Sequence, residues 1–140
     1  MINLKNKKVL ITGATGGIGG ALVKKFLSLN AEVLGTGTNT EKLESLKKNF
    51  SKIKIKKFDI SSHSNIEKFI DEVSEEMGGL DILVNNAGIN RDNLSLRMKH
   101  DEWQKVIDIN LTSTFLLSKY AIKKMLKGDS GRVINITSIV

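Results

Sequence analysis

Short runs of apolar and β-branched residues alternate along the whole chain with segments whose apolar positions recur at helical spacing. Lys8-Val9-Leu10-Ile11 predicts a first strand. A glycine-rich turn follows, then a helix with apolar positions Ile18, Leu22, Phe26 and Leu29, for which Asn30 is a suitable end. A second strand is predicted over 31–35, a polar helix over 41–50 and a third strand over 53–58. Ser64 and Glu67 have the spacing of a capping box, and behind them Ile66, Phe69, Ile70, Val73 and Met77 form a helical stripe that Gly78-Gly79 stops. The run 80–84 is almost wholly apolar, as in a parallel strand covered on both faces. A long helix from about 101 to 127 carries Trp103, Val106, Ile107, Leu111, Ile122 and Met125, and Gly131 precedes a fifth strand at 133–136.

Strands alternating with helices in this way predict βαβ units and a parallel sheet. The expected fold is α/β: a doubly wound, Rossmann-type sheet of five strands in the order 3-2-1-4-5, with helices on both faces. No repeat of solenoid period and no low-complexity segment interrupts it, so residues 1–140 are expected to form one domain.

Composition narrows the classes of function. The chain has 140 residues, enough for one buried core, and its 40% apolar and 26% charged content is that of a globular protein. Its apolar stretches are too short to cross a bilayer, and no long apolar region with a cleavage site follows Met1. With no Cys there is neither a disulfide framework nor a thiolate zinc site, and no metal site is expected; the cytoplasm is the expected compartment. The net charge of +7 favours encounters with anions. Its lysines are scattered through Lys47-Lys48, Lys54-Lys56-Lys57 and Lys123-Lys124-Lys127 without the aromatic residues that stack bases, so neither nucleic acid nor membrane is an expected partner.

The candidate chemistry begins at Thr12-Gly13-Ala14-Thr15-Gly16-Gly17-Ile18-Gly19. A turn this poor in side chains lets backbone N–H groups approach a pyrophosphate at the positive end of a helix. Glycines would equally serve a tight connection, but a strand before, a helix after and a place in the first βαβ unit favour the nucleotide. The spacing Gly13, Gly17, Gly19 departs from G-x-G-x-x-G and resembles the T-G-x-x-x-G-x-G turn of the short-chain dehydrogenase/reductase family. Where an NAD-preferring site has a carboxylate at the end of the second strand, this chain has Gly35-Thr36-Gly37-Thr38. Nothing there repels a 2′-phosphate, and Thr38 can donate a hydrogen bond to it, so NADP(H) is the expected cofactor. Thr38, paired with Glu41, also suits a helix cap. Many NADP-dependent relatives carry an Arg where this chain has Gly16 or Thr38.

Ligands of open parallel sheets sit outside the carboxyl ends of the strands. There Asp59-Ile60 resembles the family's acidic pair beside adenine, Asn85-Asn86-Ala87-Gly88 its N-N-A-G segment, and Thr137-Ser138 the place of its catalytic Ser. Taken singly, Asp59 would serve as well to cap a turn, and the asparagines to hold loop backbone. Asn110 lies on the stripe of Trp103, Val106, Ile107 and Leu111, which predicts a buried amide in need of partners. The resemblance implies that it holds an active-site Lys through water. Residues 88–99, followed by Glu102-Trp103, resemble the G-I-T-R-D-N-L-x-x-R-M-K stretch of bacterial 3-oxoacyl-[acyl-carrier-protein] reductases, although Arg91 and Arg97 would also suit surface ion pairs.

The resemblance implies reduction of 3-oxoacyl-[acyl-carrier-protein] to the 3-hydroxyacyl form with NADPH, in fatty-acid elongation, by a homotetramer. It assigns cofactor binding to Thr12, Gly13, Ala14, Thr15, Gly16, Gly17, Ile18, Gly19, Thr38, Asp59, Ile60, Asn86, Ala87 and Gly88, and catalysis to Ser138 and Asn110. Its proton-donating Tyr-x-x-x-Lys lies downstream of that Ser. Tyr120 and Lys124 share the spacing but precede Ser138 within the long helix, and read as ordinary helix residues. The domain is therefore expected to be incomplete after its fifth strand, with a bare apolar sheet edge, unsuited to life as a free monomer and inactive alone. Another short-chain dehydrogenase and a non-catalytic NADP-binding module are the alternatives. Lys123, Lys124 and Lys127 are candidate docking charges for an acidic carrier protein, in a patch weakened by Asp129.

Overall fold

The computed structural model describes residues 1–139; the expected domain end at Val140 lies outside the described residues. Five strands, β1 (Lys8–Ile11), β2 (Glu32–Gly37), β3 (Lys54–Lys57), β4 (Ile82–Asn85) and β5 (Arg132–Asn135), form one parallel sheet in the order 3-2-1-4-5. The register sets Leu10 beside both Leu34 and Leu83, and Leu83 beside Val133. Because side chains alternate across a strand, each face receives its own core. On one face Leu10, Leu34 and Leu83 meet Ile66, Phe69, Ile70, Val73 and Met77 of α3 (Ile66–Met77) and Leu117, Ala121 and Met125 of α5 (Ser113–Met125). On the other, Val9, Ile11, Val33 and Val84 meet Val23 of α1 (Gly17–Ser28) and Leu46 of α2 (Thr40–Asn49). The α3 stripe is buried at every expected position.

Element ends show which local signals decided. Asn30 has φ 66° just past α1, a conformation that Asn tolerates well. Gly78 closes α3 in the left-handed region at φ 72°, and the Gly79 N–H donates to Ser74 O at 2.8 Å. Ser64 caps nothing: a 3₁₀ turn, His63–Asn65, leads into α3 with no side-chain cap. Asn39, not Thr38, caps α2, its Oδ1 accepting the Lys42 N–H at 2.9 Å.

The long helix expected over 101–127 is not continuous. It comprises α4 (His100–Val106), a π-helical turn (Ile107–Thr112) and α5. The wider turn breaks the helical phase, so α5 buries Ser113, Leu117, Ala121 and Met125; of the predicted stripe Met125 is buried, while Trp103, Leu111 and Ile122 turn outward. Trp103 and Leu111 are 58% and 62% exposed, and Phe115, Ile122 and Leu126 extend the same apolar face. Ile134 on edge strand β5 and Ile136 just beyond it are also exposed, so apolar surface on this side is left partly uncovered among the described residues.

Tyr120 packs half-buried against the α3–α5 core, as expected of a helix residue. Lys123 pairs with Glu67 and Lys124 with Asp71, both on α3. Two of the three candidate docking lysines thus already have carboxylate partners.

Leu10 is fully buried at the middle of the sheet, so Leu10→Ala should cost roughly 2–5 kcal/mol. Leu96→Ala, at a fully solvated side chain, should change stability by less than about 0.5 kcal/mol. Urea denaturation midpoints of the two variants compare them directly.

Candidate functional site

The tips of β1 and β4 are locked together by two side chains. Thr12, 1% exposed, accepts the Asn86 and Ala87 N–H groups on Oγ1 at 3.1 and 3.0 Å. Asn86 returns the contact: its Nδ2 donates to Thr12 O at 3.1 Å and Gly13 O at 3.0 Å. Both residues are expected ligand contacts, but Thr12 faces β4, and its hydroxyl holds the loop.

The glycines of the turn divide into two kinds. Gly13 has φ 62°, and a Cβ there would stand 2.9 Å from Ala87 Cα. A Cβ on Gly19 would lie 2.1 Å from Gly13 O. These two positions are demanded by packing. At Gly17, by contrast, a Cβ would meet nothing within 4 Å, and at Gly16 only Gly13 O at 3.6 Å. The first bond of α1 runs from Gly20 N–H to Gly16 O, so the N–H groups of Gly17, Ile18 and Gly19 precede the helical ladder. No acidic residue stands in that first turn. The helix end is therefore open and positively polarised. Ala14 is fully buried, and its methyl abuts Gly35, where a Cβ would come within 2.8 Å of it; Ala14 packs the turn against β2.

Two cavities lie at the carboxyl ends of the strands. A smaller one of about 200 Å³ brings together Gly13, Thr15, Thr38, Asp59 and Ile60. An open crevice of about 670 Å³ brings together Ile18, Asn86, Asn110 and Ser138. They share Ala87, Gly88 and Ile89 as a common wall. Gly16 and Gly17 open instead onto the groove between α1 and α2, which also reaches Thr15. Ile18, expected on the buried face of α1, is 61% exposed and faces the crevice. Asp59 both lines its cavity and caps a turn, its Oδ1 accepting the Ser61 N–H at 2.9 Å and the Ser61 hydroxyl at 2.7 Å.

Asn110 corrects an expectation. It is exposed, because the π-helical turn swings it away from the core. Both ends of its amide are engaged nonetheless: Oδ1 accepts the Ile89 N–H at 2.9 Å and Nδ2 donates to Ile89 O at 2.7 Å. Asn110 thus clamps the backbone of the wall between the two cavities.

Three polar residues beyond the expected set complete the site. Thr36 Oγ1, at the end of β2 on the smaller cavity, is buried without a hydrogen-bond partner. Asn85 Oδ1 is likewise buried and unpaired, while its Nδ2 donates to Ser118 Oγ at 3.1 Å and to Asn135 Oδ1 at 2.9 Å. Asn85 and Asn135 are register partners in β4 and β5. Asn85 closes the otherwise apolar strand β4, which is a signal the sequence carries. Buried unpaired acceptors at a cavity wall are what a polar ligand or ordered water satisfies.

The family model for short chain dehydrogenases matches residues 7–140. The chain belongs to that family. It is 43% identical over 144 residues to the 3-oxoacyl-[acyl-carrier-protein] reductase FabG of Rickettsia bellii, an alignment covering 100% of this chain and 57% of that protein. The FabG of Rickettsia felis is 46% identical over 144 residues, again with 100% and 57% covered. That of Vibrio cholerae is 40% identical over 140 residues, covering 99% and 57%. The chain therefore spans about 57% of the length of these curated relatives.

Thr12→Val removes the acceptor of two backbone N–H groups while nearly keeping the volume. A loss of roughly 1–3 kcal/mol per orphaned group is expected, with Thr12→Ser close to the parent. Thermal unfolding of the two variants measures the difference.

Proposed function

We propose that this chain is the nucleotide-binding part of an NADPH-dependent reductase acting on 3-oxoacyl groups carried by acyl carrier protein. The observation that carries the reading is the division among the glycines. Gly13 and Gly19 are required by packing, whereas Gly16 and Gly17 leave the amino end of α1 open where nothing in the fold demands it. Backbone N–H groups so exposed suit a pyrophosphate. The names of the relatives support the choice of substrate.

In this reading the N–H groups of Gly17, Ile18 and Gly19 hold the pyrophosphate, and Asp59 and Ile60 border the adenine. The unpaired Thr36 hydroxyl fits a polar nucleotide on the smaller cavity. Thr38 would donate a hydrogen bond to the 2′-phosphate, the end of β2 itself carrying no carboxylate. Ala87 and Gly88 form the floor, locked from below by Thr12 and Asn86. Bound there, the nicotinamide nucleotide supplies the hydride. Ser138, on the wall of the crevice, donates a hydrogen bond to the 3-oxo oxygen and stabilises the negative charge that grows on it. Asn110 fixes the Ile89 backbone between the two ligands. The proton that completes the alcohol would come from the Tyr-x-x-x-Lys pair that the family resemblance places after the Ser. Assembly as a homotetramer, residence in the cytoplasm and a role in fatty-acid elongation belong to the same reading.

The test has two parts. Titration of the chain with NADPH, followed by nicotinamide fluorescence, should give saturable binding, tighter than for NADH. Gly17→Ala should weaken it roughly tenfold, about 1.4 kcal/mol, without lowering the melting temperature. In a protein carrying the equivalent of the rest of the relatives, NADPH should be consumed with an acetoacetyl thioester, and Ser138→Ala should lower kcat by about 10²–10³. Binding without turnover of any 3-oxoacyl thioester would overturn the reductase reading in favour of a non-catalytic nucleotide-binding module.

A further inference from the structure

The Asp108 carbonyl is crowded with donors. In a continuous α-helix it would take the Thr112 N–H; here the Ser113 N–H reaches it from five residues along the chain. The Ser113 hydroxyl oxygen lies 2.8 Å from the same carbonyl, and His63 Nε2 lies 3.0 Å from it. A backbone carbonyl only accepts, so His63 carries its hydrogen on Nε2. Ser113 is fully buried and has a single hydroxyl hydrogen, directed to Ile60 O at 2.6 Å. Its lone pair is then free for the His63 N–H, 3.1 Å away.

Asn110 stands three residues before Ser113. On a straight α-helix, positions three apart share a face, and Ser113, Leu117 and Ala121 fix that face against the core. The wider turn moves Asn110 off it and onto the Ile89 backbone.

We propose that His63 and Ser113 are positioning residues: together they stabilise the π-helical turn that sets Asn110 on Ile89, and so fix the wall shared by the two cavities. Ser113 also ties that turn to Ile60, which lines the smaller cavity. One side-chain relay therefore couples the strand end beside the nucleotide to the loop beside the substrate. The coupling to binding rests on the proposed nucleotide site; the coupling between the side chains does not.

Hydrogen exchange of the chain, read residue by residue, tests the structural half. His63→Ala should speed exchange of the Ile89 and Ser113 amides by about fivefold or more, the size of one net hydrogen bond, and leave Leu10, Val33 and Leu83 unchanged. His63→Gln, which keeps a donor near the place of Nε2, should restore most of the protection. Asn110→Ala should deprotect Ile89 but not Ser113. Faster exchange spread evenly over the sheet, or an unchanged Ile89 amide in His63→Ala, would overturn the proposal. The functional half is read by NADPH affinity, which should fall about fivefold in His63→Ala and recover in His63→Gln. Unchanged affinity alongside a deprotected Ile89 amide would overturn that half. A parent chain that binds no NADPH would remove the nucleotide reading and leave the exchange result standing.

Discussion

The site depends on four hydrogen bonds between the ends of two adjacent strands. Thr12 accepts two N–H groups from the chain leaving β4, and Asn86 donates to two carbonyls of the chain leaving β1. Parallel strands must end somewhere, and their last polar groups lack sheet partners. Here the two ends satisfy each other, which lets Gly13 press against Ala87. The glycine turn and the 86–88 segment become one rigid edge. The cavity on one side and the crevice on the other both take their shared wall from it.

Much of this was legible because it rests on periodicity. The α3 stripe from Ile66 to Met77 and the unbroken apolar run of β4 each define a face that must be covered, and alternation along β1 distributes Val9, Leu10 and Ile11 between two cores. Those patterns predict a doubly wound parallel sheet; the order 3-2-1-4-5 follows from taking that sheet as Rossmann-type. Element ends were less legible because near-equivalent polar residues compete for them. Asn39 and Thr38 both suit an N-cap, and only the backbone geometry selects Asn39.

The stretch from 103 to 113 defeated a periodic reading for a physical reason. One extra residue in a turn shifts helical phase by roughly 100°, and a local pattern does not record it. Extrapolating a straight helix buries Asn110 beside Trp103 and Leu111, yet all three are exposed. The cause lies far along the chain, at His63 and Ile60, whose contacts with Ser113 cannot be inferred from spacing. The expectation that the Asn110 amide would need partners nevertheless holds, with both met by a single residue, Ile89.

The same phase shift explains why the outer face of α4 and α5 is apolar. Once Ser113, Leu117 and Ala121 satisfy the core, Trp103, Leu111, Phe115 and Ile122 are left on the opposite side, too many to be incidental surface residues. Beside them, Lys123 and Lys124 reach back to acids of α3. Those two charges thus fasten the helix to the core, while its apolar face is exposed among the described residues. A local departure from α-helical geometry therefore has two results: it turns Asn110 toward the Ile89 backbone, and it turns an apolar stripe outward.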